Sequence, residues 1–554
     1  MRRRGALPAL AVALLIVLSG CATIPTSGPV ETAPAQPAQG DPGFGFQPAP
    51  PAEGASPENI VRGFIQASSA GGDLAVAKQY LTSGFARSWR HDEVLVHTAS
   101  WTTTKTATDR IRLSIPLAAQ VDEEGVYTPK DTGETRDFEL VQVRGQWRIS
   151  NGPRELVLAQ SAFQRVYSAA YLQFFDPGWK RFVPDLRWFP RESNRVAETV
   201  GALLAGQAPV LRDVTRNAFP DSVALAAPVR AGAGTISIDL KSSNGRPDEQ
   251  STDRMQQQLL ASLAGIGAAV ELTVDGRTAP EAPELQTEQI SVTDPVGVVG
   301  GRFGVITASG AVREDRVLGP RIVALKPAAV TFSARQDQAA VLSGDGTISI
   351  VRADAASRPI DQREDLLPPT LDQNGYTWSI PGDQPDGLRV TDRAGRDVPI
   401  SVSLSGTEVL AIEVSPDGTR LLVLLDATSG PEAYVYGIER DGEGRPTGLT
   451  SVRYPVSIGS DVTQAIDATW VDLSSVAVLV SAGAAAQNVV VQQLGGVSEV
   501  LGLLYGAREI IGATTKDDLR ARQSTGAVVH PAQLSGWTQE FGASVKVDVL
   551  AVQR

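Results

Sequence analysis

The cysteine at position 21 is the residue of this 554-residue sequence whose surroundings suit a reactive nucleophile. It is the single cysteine of the sequence and directly follows Leu18-Ser19-Gly20. A basic flank at positions 2–4 and an apolar run at 9–18 precede it, which is the order of a secretory signal. The run is too short to span a bilayer, which needs about 20 apolar residues. The sequence therefore predicts export.

The Leu-Ser-Gly-Cys order resembles the lipobox of bacterial lipoproteins. We predict cleavage between Gly20 and Cys21, attachment of a diacylglycerol to the thiol and acylation of the freed amine, by a chain such as palmitate. Two or more chains anchor stably, at about 0.8 kcal/mol per buried methylene. The alternative is an ordinary cleavage site beside a chance cysteine. We expect a lipid-anchored protein on the extracytoplasmic side of the cell membrane.

Few other residues have the spacing that catalysis or metal binding requires. The three histidines are His91, His97 and His530. No Cys-His cluster, His-Glu-x-x-His motif, glycine-rich phosphate loop or Gly-x-Ser-x-Gly motif accompanies them. We expect no catalytic residue, no metal and no cofactor, and no enzymatic activity.

Paired carboxylates are the remaining catalytic option, because glycosidases need two facing acids. The candidates are Asp122–Glu124, Glu314-Asp315, and Asp361 with Glu364-Asp365. All lie in polar, turn-like stretches, so solvated charge is the expected state. Asp417, in Ser-Pro-Asp-Gly, is predicted to be a turn residue rather than a calcium ligand.

Three tryptophans recur near predicted strands of the C-terminal half: Trp378, Trp470 and Trp537. We expect them to pack between strands. The alternative is a platform on which a sugar stacks.

Composition excludes some classes of partner. The formal net charge is −12, and removal of three arginines with the signal takes it to −15. An acidic surface argues against nucleic acid and against electrostatic docking to anionic lipid. The length predicts two to four domains.

The predicted order begins with a signal peptide at 1–20 and a proline-rich tether at 21–55, which cannot bury enough apolar surface to fold. Residues 56–155 start with a helix capped at Ser56-Pro57, then a second helix over 73–81. Strand patterns follow, the last two joined by a tight turn at Arg144-Gly145. Two helices and a curled antiparallel sheet resemble the nuclear-transport-factor-2-like (NTF2-like) α+β fold.

Residues 157–285 predict a second α+β domain. Its strands at 169–175 and 186–190 are followed by helices at 194–205 and 253–263 and strands at 235–240 and 268–274. The Tyr-Leu-Gln-Phe-Phe start, the Ala-Leu-Leu-Ala-Gly helix end and the late Val-Asp-Gly resemble the GerMN domain of germination and sporulation proteins. That family is regarded as a binding module.

Residues 297–554 predict short strands only. Residues 332–342 can be laid over 414–424, an offset of two units of 41 residues, which is close to the length of a propeller blade. Asp345-Gly346 and Asp417-Gly418 suit hairpin turns within blades. We predict a β-propeller of five to seven blades, with a two-sheet sandwich as the alternative.

The combination of lipobox, tether, small α+β domain, GerMN-like domain and propeller resembles the LpqB lipoprotein family of Actinobacteria. The resemblance implies an accessory of the MtrA–MtrB two-component system. It would contact the extracytoplasmic part of the sensor histidine kinase MtrB and modulate signalling linked to cell division and envelope homeostasis. The resemblance implies the family's lipidation role for Cys21 and implies no catalytic residue. The alternative function is an envelope glycan binder or hydrolase that acts through the propeller.

Overall fold

The computed structural model describes residues 48–553 except 70–73, 192, 233, 282, 284, 286–293, 403, 484, 513 and 533–535. The predicted signal peptide, Cys21 and the tether up to residue 47 lie outside the described residues. Pro48–Arg554 forms one compact unit. No helix within the described part of the chain is long and apolar enough to cross a membrane.

The first module begins with the predicted helix. The Ser56 side chain accepts a hydrogen bond from the backbone N–H of Asn59, and Pro57 occupies the first turn, where its missing N–H has no consequence. Ile60, Val61, Phe64 and Ile65 form the buried face. The second predicted helix is shorter than expected, because the chain turns after Lys78 and Leu81 forms a bridge with Ile149. The helices are α1 Pro57–Ser68, α2 Ala75–Lys78 and α3 Ser83–Ser88.

A six-stranded sheet covers α1. Its order is β5-β4-β3-β1-β6, with β2 also paired to β3. Arg144 and Gly145 both have positive φ, 52° and 76°, which confirms the predicted tight turn between β4 and β5. The strands are β1 Val94–His97, β2 Thr102–Ala107, β3 Arg110–Val121, β4 Tyr127–Val143, β5 Gln146–Asn151 and β6 Leu156–Ala159.

The second module is α+β, as predicted. Asn194 caps α5 by accepting the N–H of Ala197, and Gly206 ends it with φ 100°. Helix α6 starts one turn before the prediction, because Asp248 caps it. The strands β11 and β12 are parallel, and α6 connects them. The elements are α4 Gln160–Val166, β7 Tyr167–Phe175, β8 Phe182–Pro190, α5 Arg195–Ala205, β9 Val223–Leu225, β10 Arg230–Gly232, β11 Thr235–Ser242, α6 Glu249–Ser262, β12 Ala269–Val274 and β13 Arg277–Thr278.

The third module is a β-propeller, which rules out the sandwich. The described residues form six four-stranded blades, within the predicted range. Phe332 and Val414, the two positions aligned by the 82-residue offset, each end the first strand of a blade, two blades apart. The strands of blades 1 to 3 are β14 Val296–Val299, β15 Arg302–Ile306, β16 Val312–Glu314; β17 Pro327–Phe332, β18 Gln338–Ser343, β19 Ile348–Arg352, β20 Ala355–Asp361; β21 Thr370–Leu371, β22 Thr377–Ser379, β23 Arg389–Thr391 and β24 Asp397–Val398.

Helix α7, Gly319–Ala324, lies between blades 1 and 2. The strands of blades 4 to 6 and the final strand are β25 Glu408–Val414, β26 Arg420–Ala427, β27 Gly430–Arg440, β28 Pro446–Val456; β29 Ala465–Trp470, β30 Ser475–Ser481, β31 Ala486–Gln493, β32 Ser498–Tyr505; β33 Ala507–Ile511, β34 Arg520–Gln523, β35 Val528–Pro531, β36 Trp537–Gln539; and β37 Val549–Gln553.

Blade 1 is completed by β37. This strand pairs antiparallel with β14, with Val296 opposite Ala551 and Val298 opposite Val549. It also makes a parallel contact with β17 of blade 2, where Thr331 lies opposite Val552. The far end of the propeller sequence thus joins its beginning, and closing the ring in this way protects the sheet edges.

Candidate functional site at the junction of three modules

The three histidines lie apart and are explained by local contacts. The His91 ring stacks on Trp89. The His97 ring nitrogen Nδ1 lies 2.8 Å from the Ala99 carbonyl oxygen, and burial lowers the pKa of His97. His530 lies in blade 6, with Nε2 3.9 Å from Glu540. The described residues contain no group of three or more His, Cys, Asp or Glu side chains that could hold a metal ion.

The carboxylate candidates are structural, and one of them corrects the sequence prediction. Asp122 accepts the N–H of Val126, and Asp315 accepts that of Leu318, as turn residues do. Asp361 is not solvated: it is 2 % exposed and bonded by Arg363 and Ser379. The sequence pattern did not indicate this burial, because Asp361 is followed by a polar run in which Glu364 and Asp365 are exposed.

Asp417 is a turn residue, as predicted, and it is also half of a buried ion pair. Its carboxylate accepts hydrogen bonds from the Thr419 N–H at 2.8 Å and the Ser415 hydroxyl at 2.7 Å. The Arg420 guanidinium contacts the same carboxylate, and both side chains are almost fully buried. Burial alone would raise the pKa of Asp417, but Arg420 and the two hydroxyls outweigh it and lower that pKa.

Two of the three tryptophans pack between blades. Trp378 and Trp470 are completely buried, and the Trp470 indole donates to the Glu413 carbonyl oxygen of the neighbouring blade at 2.9 Å. Neither ring is available for stacking on a sugar. Trp537 is partly buried and packs on the core of blades 5 and 6.

The short segment 186–188 of strand β8 contacts all three modules. The Trp188 ring packs on Tyr127 of the first module at a centroid distance of 6.3 Å, and on Phe163 of α4 at 4.8 Å. In the propeller, the Trp188 Nε1–H donates to the Gly495 carbonyl oxygen at 2.7 Å. Strand β8 itself belongs to the second module. The three modules therefore meet at one residue.

Arg187 supports the same junction. It is 1 % exposed and forms two hydrogen bonds with Asp185, at 3.0 and 2.8 Å. Its remaining N–H groups donate to the carbonyl oxygens of Glu124 in the first module and Gly206 at the end of α5, each at 3.1 Å. A buried arginine bonded in this way ties the two α+β modules together.

Two glycines allow the backbones of the first module and of the propeller to approach strand β8 closely. A Cβ on Gly125 would lie 2.6 Å from the Trp188 carbonyl oxygen, and one on Gly495 would lie 2.8 Å from that of Leu186. Both residues also have positive φ, 78°. Blade 4 adds the Tyr454 hydroxyl, which accepts the Gly495 N–H at 2.9 Å.

The sequence predicts the strand at 186–190 but not the junction. The segment Leu-Arg-Trp-Phe contains an arginine inside an apolar strand. This pattern could have indicated a contact with other modules, because a buried arginine needs several hydrogen-bond acceptors. Gly495 lacked any comparable signal, since its partners come from distant parts of the sequence.

A cleft of about 170 Å³ opens beside this junction. The first module contributes Val126 and Thr128, and the turn in blade 5 contributes Leu494 and Gly495. The remaining lining residues come from the second module and blade 4, namely Pro184, Asp185, Leu186, Ala208, Pro209, Val210, Leu211, Arg420, Val435, Val452, Arg453, Tyr454 and Pro455.

An exposed apolar strip lies on β32, at the end of the strand order of blade 5. Val500, Leu503 and Tyr505 are 59 %, 50 % and 60 % exposed. Large apolar side chains at this exposure are candidates for contact with another protein.

Comparison with known proteins agrees with this architecture. The profile of the LpqB lipoprotein N-terminal domain matches residues 50–164, the profile described as sporulation and spore germination (Germane) matches 171–280, and that of the LpqB β-propeller domain matches 305–547. The chain is 28 % identical to lipoprotein LpqB of Cutibacterium acnes over 470 residues, covering 76 % of this chain and 77 % of that one. It is 27 % identical to lipoprotein LpqB of Streptomyces coelicolor over 576 residues, covering 93 % of each.

Among solved structures, a nidogen/laminin complex is 14 % identical and covers 47 % of this chain and 97 % of its own, with a TM-score of 0.33.

Fold and junction define a multidomain propeller protein that carries a Germane domain and a further α+β module. Two of its three matched domain profiles, and both relatives, carry the name of one lipoprotein, LpqB. The chain belongs to the LpqB lipoprotein family.

Proposed function

We propose that this protein is a non-enzymatic lipoprotein, anchored through Cys21 on the extracytoplasmic side of the cell membrane, that modulates an MtrB-type sensor histidine kinase through protein contacts. The modulation would affect cell division and envelope homeostasis. Membership of the LpqB family supports the lipoprotein role, and the family resemblance supplies the kinase as partner.

The structural observation that carries the proposal is the junction at Trp188. Because the three modules share partly buried hydrogen bonds there, they present their surfaces as one body rather than as independent modules. A tether then holds that body near a membrane receptor at an effective concentration of about millimolar, so a modest affinity is sufficient.

We assign the kinase contact to the exposed strip Val500, Leu503 and Tyr505. These apolar side chains lie together on a strand whose neighbour in blade 5 is β31 alone. Such a surface suits a protein partner with a complementary apolar patch, and it does not require the partner to be charged.

Photocrosslinking in intact cells tests the proposal. A photoreactive phenylalanine at position 500, 503 or 505 is expected to capture the sensor kinase, identified by mass spectrometry. The same residue at Val317, which is 54 % exposed in the turn between β16 and α7, is the matched control and is expected not to capture it. Capture of the kinase from neither site, or equally from both, contradicts the assignment. Capture of cell-wall glycan instead would favour the glycan-binding alternative.

A second measurement tests modulation. Val500→Asp with Leu503→Asp should change the phosphorylation of the partner response regulator, whereas Val317→Asp should leave it as in the wild type. If the two variants leave the same phosphorylation level, the strip does not act on the kinase.

A further inference from the structure

The turn between strands β7 and β8, residues 176–181, carries positive charge around one aromatic ring. The ring belongs to Trp179, which is partly buried and packs on Phe175 at a centroid distance of 5.0 Å. The Arg254 guanidinium, on helix α6, lies 4.1 Å from the centre of the same ring. A guanidinium within about 6 Å of a tryptophan ring makes a favourable cation–π contact. Arg254 is therefore held at this turn without a counter-charge.

Two further cations lie at the same turn. Arg216 is exposed, and its Nε–H donates to the Pro177 carbonyl oxygen at 3.1 Å. Lys180 is also exposed, and its side chain lies beside Gly178, since a Cβ on that glycine would lie 3.9 Å from the Lys180 Cδ. Three cations therefore surround one six-residue turn.

The turn itself contains one acid, Asp176. It is 8 % exposed, and its carboxylate accepts two backbone N–H groups of the turn at 2.6 and 2.8 Å. No carboxylate of the described residues forms an ion pair with Lys180, Arg216 or Arg254. The exposed charge at the turn is therefore positive.

Two acids of α6 lie near Arg254 in the sequence. Asp253 directly precedes it and leaves the helix about 100° away, on a different face. Asp248 caps the helix, and its pKa is lowered first by its hydrogen bonds with Ser251 and last by the charge of Arg254. Neither acid pairs with Arg254, so the cations at the turn outnumber the acids that could balance them.

A local cluster of this kind can act although the net charge of the chain is −12. At physiological ionic strength, charges more than about 8 Å apart are largely screened, so the groups next to the turn decide what it binds. Tryptophan favours the headgroup level of a bilayer, and lysine and arginine are favoured beside anionic lipid. The ring and the three cations therefore suit an anionic membrane surface.

We propose that the 176–181 turn docks on the anionic phospholipid surface of the membrane to which the protein is anchored. Trp179 lies at the level of the headgroups. Lys180, Arg216 and Arg254 contact the lipid phosphates. A bilayer suits this turn better than an acidic protein surface does, because the anchor already holds the turn close to the bilayer.

The tether is long enough for this contact. The 26 residues from 22 to 47 can extend to about 90 Å at most. This length exceeds the width of about 60 Å expected for a compact body of this size, so the turn can reach the bilayer. Docking then fixes the orientation of the body, and with it the height of the exposed strip on β32 above the bilayer. This inference rests on the predicted anchor at Cys21 and not on the identity of the kinase.

Fluorescence of the anchored protein in vesicles tests the docking. The native lipidated chain, checked by mass analysis of its N-terminus, is placed in vesicles of phosphatidylcholine alone or with about 30 % phosphatidylglycerol. Each vesicle also contains brominated phosphatidylcholine, which quenches tryptophan at the boundary of headgroups and acyl chains. The difference between the wild type and Trp179→Phe isolates the emission of one of the eight tryptophans.

We expect Trp179 to be quenched only in vesicles with phosphatidylglycerol. The quenching should be lost at about 1 M salt, where the screening length is about 3 Å. Equal quenching in both kinds of vesicle, or quenching in neither, overturns the proposal.

Charge variants locate the contact. Lys180→Gln with Arg216→Gln should lower the ratio of docked to undocked protein about 25-fold, because each cation near an anionic surface contributes about a fivefold factor. Arg302→Gln with Arg313→Gln removes two exposed cations from blade 1 and should dock as the wild type does. If the two double variants dock alike, the turn does not make the contact and the proposal fails.

Arg216→Lys separates the charge from the shape of the turn. It keeps the cation but alters the hydrogen bond to the Pro177 carbonyl oxygen, and it should dock as the wild type does. A loss as large as that of Arg216→Gln overturns the proposal. Thermal unfolding checks that each variant is folded. If a change at Arg216 unfolds the protein, Lys180→Gln alone replaces it and should dock about fivefold more weakly than the wild type, and unchanged docking contradicts the proposal.

Crosslinking in intact cells distinguishes a bilayer from a protein surface. A diazirine analogue of lysine at position 180 keeps the cation and is expected to capture phospholipid. The same analogue at Lys546, which is exposed near the end of the propeller sequence, is the control and is expected not to capture it. Capture of a protein without lipid from position 180, or equal capture of lipid from both positions, overturns the proposal.

Discussion

The Trp188 indole N–H lies 2.7 Å from the carbonyl oxygen of Gly495, although the two residues are separated by more than half of the chain. The Trp188 ring packs at the same time on Tyr127 in the first module. One side chain thus bonds the propeller while it fills the core of another module, and substitutions at this point test how the modules are held together.

Trp188→Phe keeps most of the ring and removes the donor. We expect a loss of about 1–2 kcal/mol in the free energy of unfolding, because the Gly495 carbonyl oxygen loses its partner. Trp378→Phe is the matched control, since Trp378 is buried but its Nε1–H has no partner in the described structure. Chemical denaturation of both proteins gives the comparison, and equal losses would mean that the hydrogen bond adds nothing.

Gly495→Ala should destabilise the junction more than backbone conformation alone explains. An L-residue at φ 78° costs about 1–2 kcal/mol, and the added Cβ also meets the Leu186 carbonyl oxygen. Gly346→Ala is the control, because Gly346 has φ 85° and open space around its Cβ position. Limited proteolysis and denaturation should show the larger effect at Gly495. A loss no greater than that of Gly346→Ala would contradict the close approach.

Asp417→Asn should be strongly destabilising, by about 3–5 kcal/mol, because it leaves the buried Arg420 without a counter-charge. Asp441→Asn breaks an exposed pair with Arg445 and should change stability by less than about 1 kcal/mol. Urea unfolding at neutral pH measures the free energy of unfolding of both variants. Because the pKa of Asp417 is lowered in the folded state, its contribution is present above the unfolded value near 4 and is lost as pH falls through the folded value.

Asp467 has the opposite pH dependence. Burial raises its pKa to about 7, although the hydrogen bonds from the backbone N–H groups of Ile510 and Ala468 act in the opposite direction and lower it. Asp467 is half-buried, and its carboxylate on β29 accepts the N–H groups of Ala468 and of Ile510 on β33. The folded state holds the proton between pH ~4 and about 7 while the unfolded state has released it, so this residue lowers stability as pH rises through that window.

Asp467→Asn should therefore flatten the fall in denaturation midpoint between pH 4 and pH 7, with the largest gain over the wild type above pH 7. Asp345→Asn, at an exposed hairpin turn, should follow the wild-type curve. Parallel curves for wild type and Asp467→Asn would show that Asp467 does not titrate in this range.

Cys21→Ala tests the anchor. We expect the protein to lose acyl labelling with a palmitate analogue and to leave the fraction of mature, lipid-anchored protein, because the thioether cannot form. Ser19→Ala keeps the cysteine and serves as the control. Mass analysis of the native N-terminus that finds an unmodified thiol would contradict the lipidation.

The architecture was predictable where local chemistry determined it. The caps at Ser56 and Asn194, the turn at Arg144-Gly145 and the 82-residue offset between blades are all local patterns, and the structure has each of them. Helix α6 started earlier than predicted, because the apolar period began after its cap at Asp248.

The junction and the cleft could not be predicted, because their residues are brought together only by the packing of modules. Trp188 and Gly495 have no pattern that links them in the sequence.

Strand β37 has a consequence for the order of assembly. Val296 can pair with Ala551 only after the end of the sequence has been synthesised. Blade 1 therefore lacks its fourth strand, and the ring stays open, while the other five blades are already synthesised. The edge of β14 that later pairs with β37 is exposed to other chains during that interval. Late closure of this kind also makes folding slow. Shortening the sequence by β37 would therefore be expected to produce aggregation rather than a slightly less stable protein.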